Sequence, residues 1–253
     1  MRAVVLAGGL GTRLRPYTTV IPKPLVPVGD RPILEHILHA LNRAGVGHID
    51  LCVSHLGELI EVYLTHAALP EDLDLQFHWE DAPLGTAGAL KLIPGLTGTF
   101  IVMNGDVLTN LDYDRLVDFH LEREAAVTIA MTAKRVQIDL GVIDHGDGYV
   151  NGYVEKPTLD YHVSMGIYVY DQRALRYLPE GACQFPDLVT RLLDAGESVA
   201  AYLSDADWFD IGTVEEYERA SRAIEAQPER FGMTPEPPIR INHRRIVTRQ
   251  ASP

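Results

Sequence analysis

The sequence predicts an α/β protein: a doubly wound, mostly parallel sheet with a small antiparallel portion. Three observations point to it. Over roughly the first 125 residues, short apolar runs alternate with segments of helical period, the pitch of successive strand, helix, strand units. The opening run, Ala3-Val4-Val5-Leu6-Ala7, leads straight into a glycine-rich turn, Gly8-Gly9-Leu10-Gly11. Past about residue 125 strands follow one another, around a His145-Gly146-Asp147-Gly148 hairpin turn.

After the first strand, Ile33, Leu34, Ile37, Leu38 and Leu41 recur at helical spacing, and Gly45 is placed to stop the helix. Ile49, Leu51 and Val53 then alternate as a strand. A helix over Leu56 to Leu64, a strand around Leu75 to Phe77, a helix from Thr86 and an apolar strand from Thr99 to Met103 continue the alternation. Leu116, Val117 and Leu121 mark another helix, with Asp112 as its cap. Val127 to Met131, Gly141 to Ile143 and Val163 to Tyr170 read as strands, and Phe185 to Ala195 as a helix. Thr213 to Ala226 closes the series, with Thr213-x-x-Glu216 as a capping box. No internal repeat is present.

With 253 residues, 46% of them apolar, the chain can bury a substantial core. We expect one domain over residues 1–227, divided near residue 125. Residues 228–253, with Pro228, Pro235, Pro237 and Pro238, read as a loosely held tail, contacts in a homodimer being its alternative role. The net charge of -13 argues against nucleic acid or an anionic membrane as partner. Cys52 and Cys183 suggest neither a disulfide framework nor a thiolate metal site. The first apolar run is too short for a signal-peptide core, and no stretch approaches the roughly 20 apolar residues that span a bilayer. A soluble cytoplasmic protein is expected.

The turn after the first strand reads as a phosphate site. Glycines allow backbone N–H groups to converge on an anion at close range. Residues 1 to 29 hold Arg2, Arg13, Arg15 and Lys23 and no acidic residue, and the whole chain has only four lysines, Lys23, Lys91, Lys134 and Lys156. A P-loop would need Gly-Lys-Ser/Thr at the end of the glycine run, and the dinucleotide fingerprint would need glycine where Leu14 stands.

In an open parallel sheet, ligands bind beyond the carboxyl ends of the strands. That rule collects Gly8 to Arg13, Glu80 to Gly88, Asn104-Gly105-Asp106, Glu155-Lys156 and Asp210 around one cleft. Asp106, at a strand end in a phosphate site, suits Mg²⁺, which prefers carboxylate oxygen, water and substrate phosphates. Asp210 stands beside Trp208 and Phe209, where an ionised carboxylate needs a partner or a metal, a helix cap being the plainer role. Asp112-Tyr113-Asp114 spells the D-x-D of metal-dependent glycosyltransferases but sits six residues past the strand end, in cap position. The histidines show no metal-ligand spacing.

These segments together resemble the sugar-1-phosphate nucleotidyltransferases. The motifs are Gly8-Gly9-Leu10-Gly11-Thr12-Arg13-Leu14 with Pro22-Lys23-Pro24-Leu25, Leu84-Gly85-Thr86-Ala87-Gly88-Ala89, Asn104-Gly105-Asp106, Glu155-Lys156-Pro157 and Trp208-Phe209-Asp210-Ile211-Gly212-Thr213. They occur in family order. The resemblance implies a Rossmann-like nucleotidyltransferase fold that moves a nucleotidyl group from an NTP to a sugar 1-phosphate, giving an NDP-sugar and pyrophosphate. It implies Arg13, Lys23 and Asp106 as catalytic residues and Asp106 and Asp210 as ligands of Mg²⁺. The nucleotide site would comprise Leu6, Ala7, Gly8, Gly9, Gly11, Thr12, Arg13, Glu80, Gly85, Thr86 and Asn104, in the part before residue 125. Gly141, Glu155, Lys156, Ser164 and Gly166 would meet the sugar phosphate in the part after it.

Ser164-Met165-Gly166 departs from the family's Asn-Ala-Gly or Asn-Gly-Gly, where the Asn contacts sugar hydroxyls. No hexapeptide repeat is present, so the β-helix domain of longer relatives is not expected. GTP with a mannose- or heptose-type 1-phosphate is the first substrate pair the motifs suggest. A catalytically silent, nucleotide-sugar-binding regulatory subunit is the alternative, which the complete set Arg13, Lys23, Asp106 and Asp210 disfavours; a metal-dependent glycosyltransferase is disfavoured further.

Overall fold

Ala3, Val4 and Val5 have no solvent exposure, which places strand β1 (Arg2–Leu6) in the middle of a sheet. The computed structural model describes residues 1–9 and 11–232. After β1 come the short strands β2 (Pro27–Val28) and β3 (Arg31–Pro32), helix α1 (Ile33–Arg43), β4 (His48–Val53), α2 (Gly57–His66), β5 (Asp74–Trp79) and the single turn α3 (Gly85–Gly88). β6 (Thr99–Asn104), β7 (Val107–Thr109) and α4 (Tyr113–Glu122) follow. The remainder is β8 (Val127–Gln137), β9 (Gly141–Gly146), β10 (Tyr149–Glu155), β11 (Thr158–Asp171), α5 (Phe185–Asp194), β12 (Val199–Leu203), β13 (Trp208–Asp210) and α6 (Val214–Ala226).

Among the described residues, seven strands form one sheet in the order β12-β8-β11-β6-β1-β4-β5. β11 runs antiparallel to both its neighbours and every other pairing in the sheet is parallel, so the expected mostly parallel sheet is found. The sheet continues across the expected division near residue 125, which falls between α4 and β8. Alternation on β1 divides the core: Ala3 and Val5 join α1 residues such as Leu34 and Leu38 on one face, and Val4 joins α5 residues Leu188 and Leu192 on the other. The expected hairpin is β9–β10, closed by Asp147 and Gly148, both at positive φ, the backbone of a two-residue primed turn.

Asp112 caps the N-terminus of α4 by accepting from the Arg115 N–H at 3.1 Å, so its D-x-D pattern serves the start of the helix. The box at α6 forms by half. Thr213 accepts from the Glu216 N–H at 3.3 Å, but the Glu216 carboxylate turns to Arg219 at 2.7 Å. Arg2, counted above with the phosphate-facing cations, is elsewhere: it grips Asp50 at 2.6 and 2.9 Å and the Gly95 carbonyl at 3.0 Å, at the other end of β1.

The start of the expected tail is anchored. Phe231 is buried against Phe209, and Arg43 donates to the Phe231 carbonyl at 3.0 Å. The rest of the tail, 233–253, lies outside the described residues. Both cysteines are free and buried. No described helix is long and apolar enough to cross a membrane.

Candidate active site

The carboxyl end of β1 is the origin of the site. Ala7 extends the strand ladder by donating to the Cys52 carbonyl at 2.8 Å, and the chain then leaves the sheet as Gly8 and Gly9. Ser54, the first residue after β4, holds the Gly8 carbonyl with its hydroxyl at 2.6 Å. Thr18 does the same for Gly11 at 2.7 Å. A 3-10 turn at Thr12–Leu14 then drives Leu14 into the core, leaving Thr12 and Arg13 exposed above it. Arg13 lies against Gly212, on the side of Asp210, and does not line the cavity.

Lys23 opens another 3-10 turn, Lys23–Leu25, whose geometry is favoured by Pro22 before it and Pro24 within it. The turn buries a lysine to 7% exposure, which requires a charge partner. Its Nζ meets Asp106 Oδ2 at 2.5 Å and Asp210 Oδ1 at 4.0 Å. The two aspartates come together through a two-stranded ladder, β7 with β13, that pairs Val107 with Asp210. Gly105 holds the base of this corner to β1, its N–H donating to the Leu6 carbonyl at 2.8 Å, and the Ile211 N–H bonds the Asp106 carbonyl at 3.1 Å. Asp106 Oδ1 is buried and has no hydrogen-bond partner. Burial pushes the Asp210 carboxyl above its ordinary range, the charge of Asp106 adds to the rise, and Lys23 and Arg13 oppose it.

A cavity of about 280 Å³ opens between this corner and α3. Leu6, Ala7, Gly8, Gly9, Lys23, Glu80, Gly85, Thr86, Asn104 and Asp106 all line it, so the structure unites most of the residues expected around a nucleotide. Glu80 accepts from the Leu84 N–H at 2.9 Å and so closes the loop before α3. Gly85 sits at φ +77, and an added Cβ there would be 2.6 Å from the Cys183 carbonyl oxygen. That contact is the reason for glycine: the Ala87 and Gly88 N–H groups both converge on the same carbonyl at 3.0 Å. Gln184, which sequence patterning did not single out, also lines the cavity and accepts from the Thr86 N–H at 3.3 Å. Its only local signal is its place immediately before α5.

Ser164, Met165 and Gly166 lie where the β11–β8 register shifts, between Ser164 and Tyr168. The irregularity carries Gly166 onto the end of β6: at φ +71, its Cβ position is 2.7 Å from Asn104 Nδ2. Ser164 is exposed at this bend, accepting from the Gly166 N–H at 3.2 Å and donating to the Tyr168 hydroxyl at 3.3 Å. Gly141 and Glu155 pair across the β9–β10 hairpin, with Lys156 just beyond. None of these three lines the cavity, and Glu155 and Lys156 are exposed.

A glycine turn at the end of a central parallel strand, with a cationic side chain and two carboxylates beneath it, places this chain among α/β proteins with a charged site at the strand ends. The chain belongs to the nucleotidyl transferase family, whose family model matches residues 2–227. It is 34% identical to a UTP--glucose-1-phosphate uridylyltransferase from Synechocystis sp. over 88% of this chain and 63% of that one. A mannose-1-phosphate guanylyltransferase catalytic subunit beta from Danio rerio is 32% identical over 86% of this chain and 62% of its own length. The chain thus spans less than two thirds of these relatives. The crystal structure of HddC from Yersinia pseudotuberculosis complexed with GMP-PN superposes with a TM-score of 0.67 at 29% identity, covering 88% of this chain and 99% of that one.

Proposed function

We propose that the chain transfers a nucleotidyl group from an NTP to a sugar 1-phosphate, releasing pyrophosphate. The observation that carries this reading is the buried Lys23 ammonium held between Asp106 and Asp210 on the floor of a glycine-lined cavity. A phosphate oxygen of the sugar phosphate attacks the α-phosphorus, the bond to the β-phosphate oxygen breaks, and the electron pair leaves with pyrophosphate. Such a displacement needs in-line positioning and charge neutralisation and no covalent intermediate. The Gly8–Gly9 backbone receives the triphosphate. Lys23 stabilises charge growing around the α-phosphorus, and Arg13, on the exposed rim, meets the departing pyrophosphate.

Family members are generally dependent on a divalent metal. Asp106 and Asp210 fit one: Asp106 Oδ1 is a buried acceptor without a donor, and two carboxylates completed by substrate phosphates suit Mg²⁺. The ion supplies charge neutralisation at the phosphates. Glu80, Gly85, Thr86 and Asn104 frame the base and ribose, and Ser164 and Gly166 bring the sugar phosphate against Asn104. Gly141, Glu155 and Lys156 meet it from the hairpin side. The relatives' names divide between UTP with glucose 1-phosphate and GTP with mannose 1-phosphate, so both pairs head the panel beside heptose 1-phosphates.

The test is Mg²⁺-dependent pyrophosphate release with five NTPs crossed against hexose and heptose 1-phosphates. One productive pair, silenced in Lys23→Ala, supports the reaction and identifies both substrates. No release from any pair in the folded protein would sink it and favour a silent nucleotide-sugar-binding protein.

A further inference from the structure

We propose that Lys23 keeps the carboxylate pair closed to metal ions until a triphosphate draws its ammonium away. The proposal rests on the reading that an NTP enters this cavity. Two carboxylates and one ammonium meet here within 4.0 Å, so the lysine already supplies the cation that the aspartates require. A divalent ion on the same carboxylates would lie close to that ammonium, and repulsion between cations is strong where water is partly excluded. Yet the lysine satisfies only half of Asp106. It contacts Oδ2, while Oδ1 stays buried without a donor. A buried carboxylate oxygen with no protein donor needs its partner from water or a cation. Oδ1 therefore offers an incoming ion a contact that the ammonium does not make.

The lysine is able to leave. Its backbone is tied down, since its carbonyl accepts from the Val26 N–H at 3.0 Å and the following Pro24 is buried. Its charge rides on a flexible four-carbon stem, so the ammonium swings without moving the turn. Lys23 shares the cavity with Gly8 and Gly9, so phosphates lodged on that loop lie within its reach. They offer the ammonium a stronger anion than one carboxylate, and their oxygens complete the shell of an ion on Asp106 and Asp210. The consequence is ordered loading: metal and nucleotide enter together, and the free protein holds metal weakly.

Mn²⁺ is the probe, titrated into nucleotide-free protein by calorimetry or by loss of the free-ion paramagnetic resonance signal. Lys23→Met, which keeps the stem and removes the charge, should bind Mn²⁺ about tenfold more tightly than wild type. Lys23→Met combined with Asp106→Asn should lose that gain. Equal or weaker binding by a folded Lys23→Met, checked by circular dichroism and repeated with Lys23→Gln, overturns the proposal. So does wild-type protein that alone binds Mn²⁺ as tightly as micromolar, whatever the variants do. Metal uptake without nucleotide does not depend on turnover. If Lys23→Met gains affinity while no substrate pair reacts, the closure stands and the proposed reaction falls.

Discussion

Lys23 is 7% exposed and tied to side chains 83 and 187 positions away, whereas Tyr149 and Tyr153 on the β9–β10 hairpin are 78% and 61% exposed. The phosphate corner is fixed by the sheet itself, through β1, β6 and the β7–β13 ladder. The hairpin has only two strands, and among the described residues the Tyr153 hydroxyl bonds no further away than Glu155 on its own strand, at 2.8 Å. The difference teaches where each kind of recognition belongs. Charge stabilisation at the phosphates requires a cation delivered from a fixed point, so the backbone that carries the Lys23 stem is built into the core. Under the proposed function, contacts to a variable sugar fall to an exposed support.

The sharpest way to break this contrast is to remove the core charge. Lys23→Ala should lower kcat by about 10²- to 10³-fold, the loss of roughly 3 to 4 kcal/mol expected for a preorganised donor. The fold should persist, as read by circular dichroism, because α1, β1 and β6 do not depend on the ammonium. An unchanged kcat on the productive substrate pair would show that the rigid corner is structural alone.

A second charge cluster lies at the opposite end of β1, and it sharpens the comparison by separating stability from chemistry. Asp50 has no exposure; Arg2 grips it from β1, His78 bonds it at 2.7 Å from β5, and His48 stands at 3.5 Å. Burial would raise its pKa, but the hydrogen bonds from Arg2 and His78 outweigh it and hold the carboxyl below its ordinary range. A depressed folded-state pKa stabilises above the unfolded value of about 3.9, and that contribution is lost as pH falls through the folded value. Asp50→Asn should therefore cost about 3 kcal/mol at pH 7 in denaturant titrations, and the gap should narrow below about pH 4. Its kcat should match wild type. A kcat loss like that of Lys23→Ala would show that the two ends of β1 are not independent.

Gly85 tests how firmly the cavity wall is built. Gly85→Ala would have to hold φ +77 with its Cβ 2.6 Å from the Cys183 carbonyl oxygen. We expect about 2 kcal/mol of destabilisation and a raised KM for the nucleotide with kcat less affected, measured by melting and initial rates. A neutral result would place α3 with the compliant parts of the molecule.

How much of this was legible in the sequence follows the same division. The parallel half announced itself because buried strands and amphipathic helices impose long apolar patterns, as in Ile33 to Leu41, and because the glycine turn follows its strand directly. The β7–β13 ladder did not, since three-residue strands are too short to show alternation. The resemblance groups Asp106 and Asp210 as ligands of Mg²⁺, but only the fold shows the ladder that joins them and the lysine they share. Arg2 misled because local charge density in sequence ignores direction: the two ends of one strand face different surroundings. Gln184 was silent, being a single polar residue whose role depends on α3 docking against the segment before α5. Ser54 could have been found by the strand-end rule that found Asn104.

The smallest expected effect is on the hairpin, and it decides whether that arm takes part at all. Lys156 is exposed, adopts φ +46 just after β10, and lies outside the cavity that holds Lys23 and Asp106. Removing its charge exposes no core, so Lys156→Ala should change the stability by no more than an ordinary surface substitution, about 0.5 kcal/mol. If the hairpin supplies a charge to the sugar phosphate, KM for that substrate should rise several-fold, with KM for the NTP unchanged. Because an exposed ion pair is screened, the rise should shrink as salt is added. Lys156→Arg, which keeps the charge, should restore part of the affinity. A variant indistinguishable from wild type in both KM values would remove this end of the hairpin from the site and leave recognition of the sugar phosphate to Asn104, Ser164 and Gly166, where the β11 bend meets the rigid corner.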